Sequence, residues 1–420
     1  MQNSHPGDQG VDPAHLPNQW RLALAQLLAG VGIASGIAVG AVLVEAVSGS
    51  TRMAGFAQTA TVLGAGVMAY PLARLAHARG RRGALTLGFA MGAIGAIGIL
   101  VGVQTRTLVL LFAGLTLFGS ATAAGLQSRY AATDLAPEHM RARAMSVVVW
   151  ATTVGSVAGP QLSAPGDALG RRLGLADLVG PYLFSVTAFV LAALVTASMR
   201  RPRRPLHETS GSRNVSMLEC LRVAWNHPMV LFGMTAVVTG QMMMTSVMVM
   251  TPLHMHHRDM ALEVVGVVIS SHILGMYALS PVVGWMVDRW GASRVVVLGM
   301  VIFLLAFVGG ILDATGQSRL SQLIPALVLL GVGWSCTLIA GSSMVAQWVA
   351  ADIRLPMQGT VDTLMNFGAA AITALAGSVL AWKGFVGINL MATTVLVVLA
   401  LVALRARVLP PEVATVREHP

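Results

Sequence analysis

The sequence predicts an all-α, multi-pass membrane protein: twelve transmembrane helices in two pseudo-symmetric six-helix bundles. Three observations predict it. Of the 420 residues, 55% are hydrophobic and only 10% are charged, where a soluble domain carries about 25% charged residues. Apolar stretches of roughly 20 residues, the length that crosses a bilayer as a helix, recur along the whole chain. Features of the first half also return in the second, as in transporters built from structural repeats.

In chain order, residues 1–19 are polar and rich in Pro and Gly, without the layout of a signal peptide, and read as a disordered tail. The first bundle occupies 20–199, with spans expected at 22–48, 53–76, 83–104, 107–130, 144–164 and 178–199. Residues 200–228 read as a linker. It starts basic and Pro-rich, then carries apolar residues at helical spacing from Met217 to His227, which suits the membrane surface. The second bundle, 229–407, has spans at 229–253, 261–287, 292–313, 321–348, 357–381 and 385–405, followed by a tail at 408–420.

The net charge of +10 does not point to nucleic acid. Most Lys and Arg residues fall in the tails and even-numbered loops, such as Arg79-Gly80-Arg81-Arg82, Arg141, Arg143, Arg200, Arg201, Arg203 and Arg204. Few fall on the other side. By the positive-inside rule both termini are expected to be cytoplasmic. Cys220 and Cys336 lie in different halves, so no disulfide is expected. There is no soluble domain and no hydrolase, nucleophile or phosphate-loop motif. The run Gly92-Ala-Ile-Gly95-Ala-Ile-Gly98 reads as small-residue helix packing, not a nucleotide loop. An enzyme is therefore not expected, and no cofactor is called for.

Two pairs of side chains carry the chemistry. Met244 and Met248 lie in the seventh span, His272 and Met276 in the eighth. Residues four apart share one helix face, so each pair presents two soft or borderline donors, suited to Cu(I). Met244 and His272 are each fourteen residues from Arg258 in the connecting loop, which predicts similar depth and lets the pairs face each other. The alternative for the methionines is core packing. For His272 it is a neutral ring hydrogen-bonded to a backbone carbonyl, Ser270 or Ser271, although an ionisable residue within a span is by default a functional candidate. At the outer end of the seventh span, His254, Met255, His256 and His257 form an auxiliary metal route, with Cys336 as a further thiolate. Asp362 and Asn366, an i,i+4 pair in the eleventh span, and Glu45 are candidates for proton carriage or coupling.

The loop after the eighth span reads Gly284-x-x-x-Asp288-Arg289-x-Gly291-x-x-Arg294. It resembles the cytoplasmic loop motif of the major facilitator superfamily, and the likeness covers essentially the whole chain. The resemblance implies that superfamily's two-bundle fold and a role for Asp288 and Arg289 in latching the inner side. The first-half copy, Leu75 to Arg82, has His77 for the acid and Ala78 for the base, which would make that latch weaker or pH-sensitive. An ion-pair network is expected around Arg129, Asp134, Arg141 and Arg143. The two pairs further resemble the signature of CcoA-type bacterial copper importers, with Met-x-x-x-Met in the seventh span and His-x-x-x-Met in the eighth. That implies a secondary transporter of a bacterial inner membrane importing copper by alternating access for cytochrome oxidase assembly, and a monomer is expected. Its partners would be the copper ion, the lipid bilayer and a copper chaperone or oxidase assembly factors. Gly155-Ser-Val-Ala-Gly159-Pro160 partly resembles the antiporter motif of drug–proton exporters, so export of amphipathic compounds stays open. So does riboflavin-like nutrient uptake, known among relatives that lack the metal pairs.

Overall fold

The structure is a computed structural model that describes residues 15–135, 141–200, 215–316, 320–350 and 353–408. The regular elements among them are helical. In the first half α1 (His15–Ser48), α2 (Thr51–Arg79), α3 (Arg81–Gln104) and α4 (Leu108–Leu135) are the first four spans. α1 begins inside the segment expected to be a tail. Asn18 fastens it, its amide donating to the Arg200 carbonyl and accepting the Arg200 N–H, both at 2.9 Å.

The fifth span is not one helix. α5 (Arg141–Ala158) gives way at Gly159-Pro160 to a 3-10 turn, Gly159–Leu162, and resumes as α6 (Ser163–Arg172). Pro160 supplies no backbone N–H to continue the α-helical ladder. α7 (Pro181–Ala197) is the sixth span. It starts later than expected because Leu178 is in the left-handed region (φ 67) and its N–H is taken by Asp167 Oδ1 at 2.6 Å.

The linker contains α8 (Met217–Asn226), as expected of an amphipathic segment. Ser216 caps it by accepting the Glu219 N–H, an interaction worth about 1 kcal/mol. α8 buries Cys220, Val223 and Ala224 and leaves Leu218 and Trp225 exposed. Arg405 lies over the Trp225 ring at 5.0 Å and ties α8 to the last span.

The second half continues with α9 (Pro228–His256), then α10 (Leu262–Tyr277) and α11 (Ser280–Trp290), which together replace the single eighth span expected. α12 (Ala292–Thr315) and α13 (Leu320–Trp348) are the ninth and tenth spans. α14 (Arg354–Val408) holds the last two spans as arms divided at Gly384 (φ 62, ψ −160), a conformation only glycine adopts freely. Eight segments of the described residues are long and apolar enough to cross a membrane, with Pro356–Ala406 counted once.

The internal repeat is visible in the backbone. Gly80 joins α2 to α3 with φ 83 and ψ 163, and Gly291 joins α11 to α12 with φ 86 and ψ 147. Each half has its own apolar core. Leu22, Phe89, Phe118, Tyr182 and Phe189 centre the first, and Met243, Phe303, Phe307, Leu327 and Phe385 the second. The glycine run of α3 packs on α4 as expected: a Cβ at Gly95 would lie 2.3 Å from the Phe118 nitrogen. The partial antiporter motif also serves packing, since Gly155 faces the Leu27 carbonyl of α1 and Gly159 the Ala34 side chain.

Hydrogen bonds that join the halves cluster toward the face opposite the described chain ends. His257 Nε2 is 2.8 Å from Glu45, which also accepts from Thr51. Thr59 bonds Thr373 at 3.0 Å and the Ala370 carbonyl at 3.1 Å. Ser270 donates to the Val157 carbonyl at 2.7 Å and receives from Gln161 at 3.1 Å. There α2 and α14 touch backbone to backbone, with a Cβ at Gly55 falling 2.2 Å from the Thr373 carbonyl. The molecule is closed at this far face.

Candidate functional site

α9 ends at His256 and α10 begins at Leu262. At 1.5 Å rise per residue, Met244 lies about 18 Å and His272 about 15 Å from these ends. The depths agree, as the sequence spacing requires. Laterally, α9 and α10 each pack along α13 and also touch each other.

Close packing of α10 on α13 is built by two glycines. A Cβ at Gly275 would sit 2.6 Å from the Val328 carbonyl, and one at Gly331 would sit 2.5 Å from the His272 carbonyl and 2.8 Å from the Met276 nitrogen. With no side chains in the way the backbones meet, and His272 is delivered to α13. Its Nδ1 is 2.8 Å from the Leu327 carbonyl oxygen, so Nδ1–H donates. In the neutral ring this places the lone pair on Nε2. Nε2 is fully buried and has no hydrogen-bond partner among the described residues. This is the backbone-bonded histidine set out above as the alternative to a ligand. It leaves one nitrogen free, which is how a metal-binding histidine is oriented by its other ring nitrogen.

Met244 and Met276 are both buried members of one apolar cluster, with Met248 packed against it and half-buried. Among the described residues no three His, Cys, Asp or Glu side chains gather to hold a metal. The chemistry available is therefore thioether sulfur and one imidazole nitrogen in a nonpolar setting.

The auxiliary residues disperse. His254 is buried in its own half, 3.2 Å from Asp313 and stacked on Phe385 at 4.3 Å. Met255 is buried, His256 is exposed, and His257 reaches across to Glu45. Cys336 is buried against α12, its Cβ 2.9 Å from the position a Gly299 side chain would take. Both cysteines are free, as expected. In the eleventh span the Asn366 amide donates to the Asp362 backbone carbonyl at 2.8 Å, and Asp362 is exposed. Asp288 and Arg289 are exposed as well, at the end of the molecule where the halves are not joined by the contacts above. The side chains of His77, Ala78, Arg129, Asp134, Arg141 and Arg143 lie outside the described residues.

Three residues adjoin the pairs that the sequence reading passed over. Trp334 Nε1–H donates to Gln241 Oε1 at 2.7 Å, Gln241 Nε2 donates to Thr245 Oγ1 at 3.0 Å, and the Tyr277 ring meets Trp334 edge-on at 5.8 Å. The available signal was an amide within a span, one turn from Met244. A separate cavity of about 310 Å³, lined by Met229, Phe232, Arg294 and Ala406 among others, opens at the other end of α9. It is about 22 Å along that helix from Met244 and takes no part in this site.

Comparisons agree with this architecture. The model of the Major Facilitator Superfamily matches residues 22–265 and again 242–419. The chain is 34% identical over 372 residues to the uncharacterized MFS-type transporter YddS of Bacillus subtilis (strain 168), covering 87% of this chain and 85% of that one. It is 30% identical over 356 residues to the riboflavin transporter RfnT of Brucella anthropi, covering 83% and 85%. Among solved structures, the nucleoside transporter NupG superposes with a TM-score of 0.71 at 15% identity, covering 93% of this chain and 99% of that one. A bacterial homologue of the iron transporter ferroportin gives 0.70 at 14%, covering 93% and 98%. With two six-helix halves, a repeated glycine turn between spans and a family match along nearly all its length, the chain belongs to the Major Facilitator Superfamily.

Proposed function

We propose that this transporter imports copper as Cu(I), bound during passage by His272, Met276, Met244 and Met248. The observation that carries the reading is His272, a buried imidazole whose Nδ1–H is committed to the Leu327 carbonyl while Nε2 has no partner among the described residues. An unsatisfied buried polar atom costs about 1–3 kcal/mol unless something offsets it. A soft cation accepting the Nε2 lone pair offsets it, and buried thioethers complete a donor set that favours Cu(I) over hard cations. The basic residues of the terminal face argue that this face is cytoplasmic. With the far face closed, the molecule stands ready to release cargo inward. Direction follows the resemblance to copper importers. In this reading Asp362, Asn366 and Glu45 remain the coupling candidates, and Asp288 and Arg289 the inner latch.

A second reading, uptake of riboflavin or a similar planar nutrient, is favoured by the likeness to RfnT. Gln241, Tyr277 and Trp334 would suit such a cargo through an amide and aromatic rings.

The test is uptake of copper and of riboflavin, each measured in cells producing the native chain or His272→Ala at matched protein level. Copper uptake lost in the variant, with no chain-dependent riboflavin uptake, supports the first reading. Copper uptake unaffected by His272→Ala sinks it. Riboflavin uptake that needs the chain and ignores His272 establishes the second.

A further inference from the structure

The two halves are finished differently on the terminal face. In the first, the starts of α1 and α3 are both tied to the end of the sixth span. Asn18 bonds the Arg200 backbone in both directions, and Arg82 donates to the Met199 carbonyl at 3.3 Å. The repeat gives each of these residues a counterpart. Gly80 and Gly291 are 211 residues apart, which pairs Arg82 with Ser293. The same offset relates α1 to α9, because Gly155 packs on Leu27 and Val31 while Gly368 packs on Val238 and Met242. Asn18 therefore corresponds to Met229. A thioether has no proton to donate, and a serine cannot span the distance an arginine spans. Neither Met229 nor Ser293 makes a clasp of this kind.

A cavity stands where the clasp would be. It is the space of about 310 Å³ at the start of α9, and Met229 and Ser293 both line it. Its volume is at the lower end of ligand pockets. Val297 of α12 and Ala403 and Ala406 of α14 add apolar walls. Arg294 also lines it, is exposed, and has no hydrogen-bond or ion-pair partner among the described residues. The cavity thus joins apolar walls to one hydroxyl and one uncommitted cation, a combination that suits an amphipathic anion.

Its surroundings set the level in the membrane. Arg405, between Ala403 and Ala406 in the chain, lies over the Trp225 ring of α8. α8 exposes Leu218, Arg222 and Trp225, as a helix lying in the headgroup layer does. Below that level the helices beside the cavity are apolar and exposed, at Val301 one turn from Val297 and at Leu404 next to Ala403. Basic pockets between spans on the cytoplasmic side are where anionic headgroups bind.

We propose that this cavity binds the phosphate headgroup of an anionic phospholipid, with Arg294 and Ser293 on the phosphate and the tails along the exposed flanks of α12 and α14. The lipid takes the place that Asn18 and Arg82 fill in the first half. The proposal is independent of the cargo and of the Met and His pairs.

The experiment titrates the full chain, in a neutral detergent, with phosphatidylglycerol or with phosphatidylcholine of equal chain length, and counts bound lipid by native mass spectrometry. One phosphatidylglycerol should bind about tenfold tighter than phosphatidylcholine, as expected of one charge-assisted contact. Arg294→Gln should abolish the preference. Ala403→Leu, which fills the cavity and leaves the charge, should abolish it too. Arg289→Gln removes an exposed cation of the same loop that does not line the cavity, and should keep the preference. No preference in the native chain, or one that survives Arg294→Gln, overturns the site. Preference intact in folded Ala403→Leu overturns the cavity as its location, and if that variant does not fold, Arg294→Gln at an exposed position decides. Equal loss in Arg289→Gln overturns it as well, because any cation of this face would then serve. Glycerophosphoglycerol, the same headgroup without tails, should not displace the lipid at equal concentration. Equal competition would make the occupant a soluble anion and overturn the lipid assignment.

Discussion

His272 and Leu327 are bonded side chain to backbone across two helices, Nδ1 to carbonyl oxygen at 2.8 Å, because Gly331 lets the helices touch. Gly331→Ala should break this arrangement. The added methyl would have to displace rigid backbone 2.5 Å away, and such overpacking costs about 1–3 kcal/mol. Thermal unfolding should show that loss, and copper uptake should fall with it because Nε2 is no longer aimed. A melting temperature equal to the native one would show that the helices separate without strain.

Packing and ligation can be separated at the methionines. Met244→Leu and Met248→Leu together keep volume, so stability should change by less than about 1.5 kcal/mol. The soft sulfur is gone, and copper uptake should drop at least tenfold at matched protein level. Uptake near the native level would reduce both residues to core filling.

Closure of the far face depends on the meeting of Gly55 with Thr373. Gly55→Val should leave each half folded, because the clash lies between them, but prevent this conformation. Transport should be abolished. A cysteine at Thr59, which bonds across to Thr373 in the closed form, should react with an impermeant maleimide far faster than in the unblocked chain. By contrast, His257→Ala removes a half-exposed pair with Glu45, worth about 0–1 kcal/mol, and should shift the same labelling only slightly.

His254 and Asp313 are both buried and 3.2 Å apart. Asp313→Ala removes this partner from the buried His254 ring, and leaving one side of a buried hydrogen bond unsatisfied costs about 1–3 kcal/mol. Thermal unfolding and yield of folded protein should both drop. Replacing both residues by Leu should recover much of the loss, and a double variant as unstable as the single one would contradict the pairing.

Much of the fold was legible beforehand because bilayer thickness writes itself into the chain as apolar runs. The repeated glycine turn at Gly80 and Gly291 was equally legible, since the loop chemistry around it recurs. The breaks at Gly159-Pro160 and Ala278–Leu279 were not resolved, although Pro160 and Pro281 stand in both places. Hydropathy averages over a span and does not register a local change of backbone direction.

The candidate site was legible as residue types and depth. His272, Met276, Met244 and Met248 are named by spacing alone, and the depths of Met244 and His272 match as the loop-centred count requires. Their partners were not legible. The Leu327 carbonyl has no side-chain signature, and Gln241, Trp334 and Tyr277 come from three different helices. Nor did the run His254 to His257 indicate that one histidine turns into its own half and another crosses to Glu45.

The sequence by itself determined the helical class, the number and depth of spans, the two-half repeat and the donors placed in the bilayer. Periodicity and apolar length are properties of a single helix, and they survive without knowledge of its neighbours. Tertiary structure decided which face of each helix meets which other helix. That choice packed α9 and α10 each against α13, joined His272 to Leu327 and closed one face of the molecule. It rests on backbone approach distances at glycines such as Gly55, Gly275 and Gly331, which exist only once two helices are packed together.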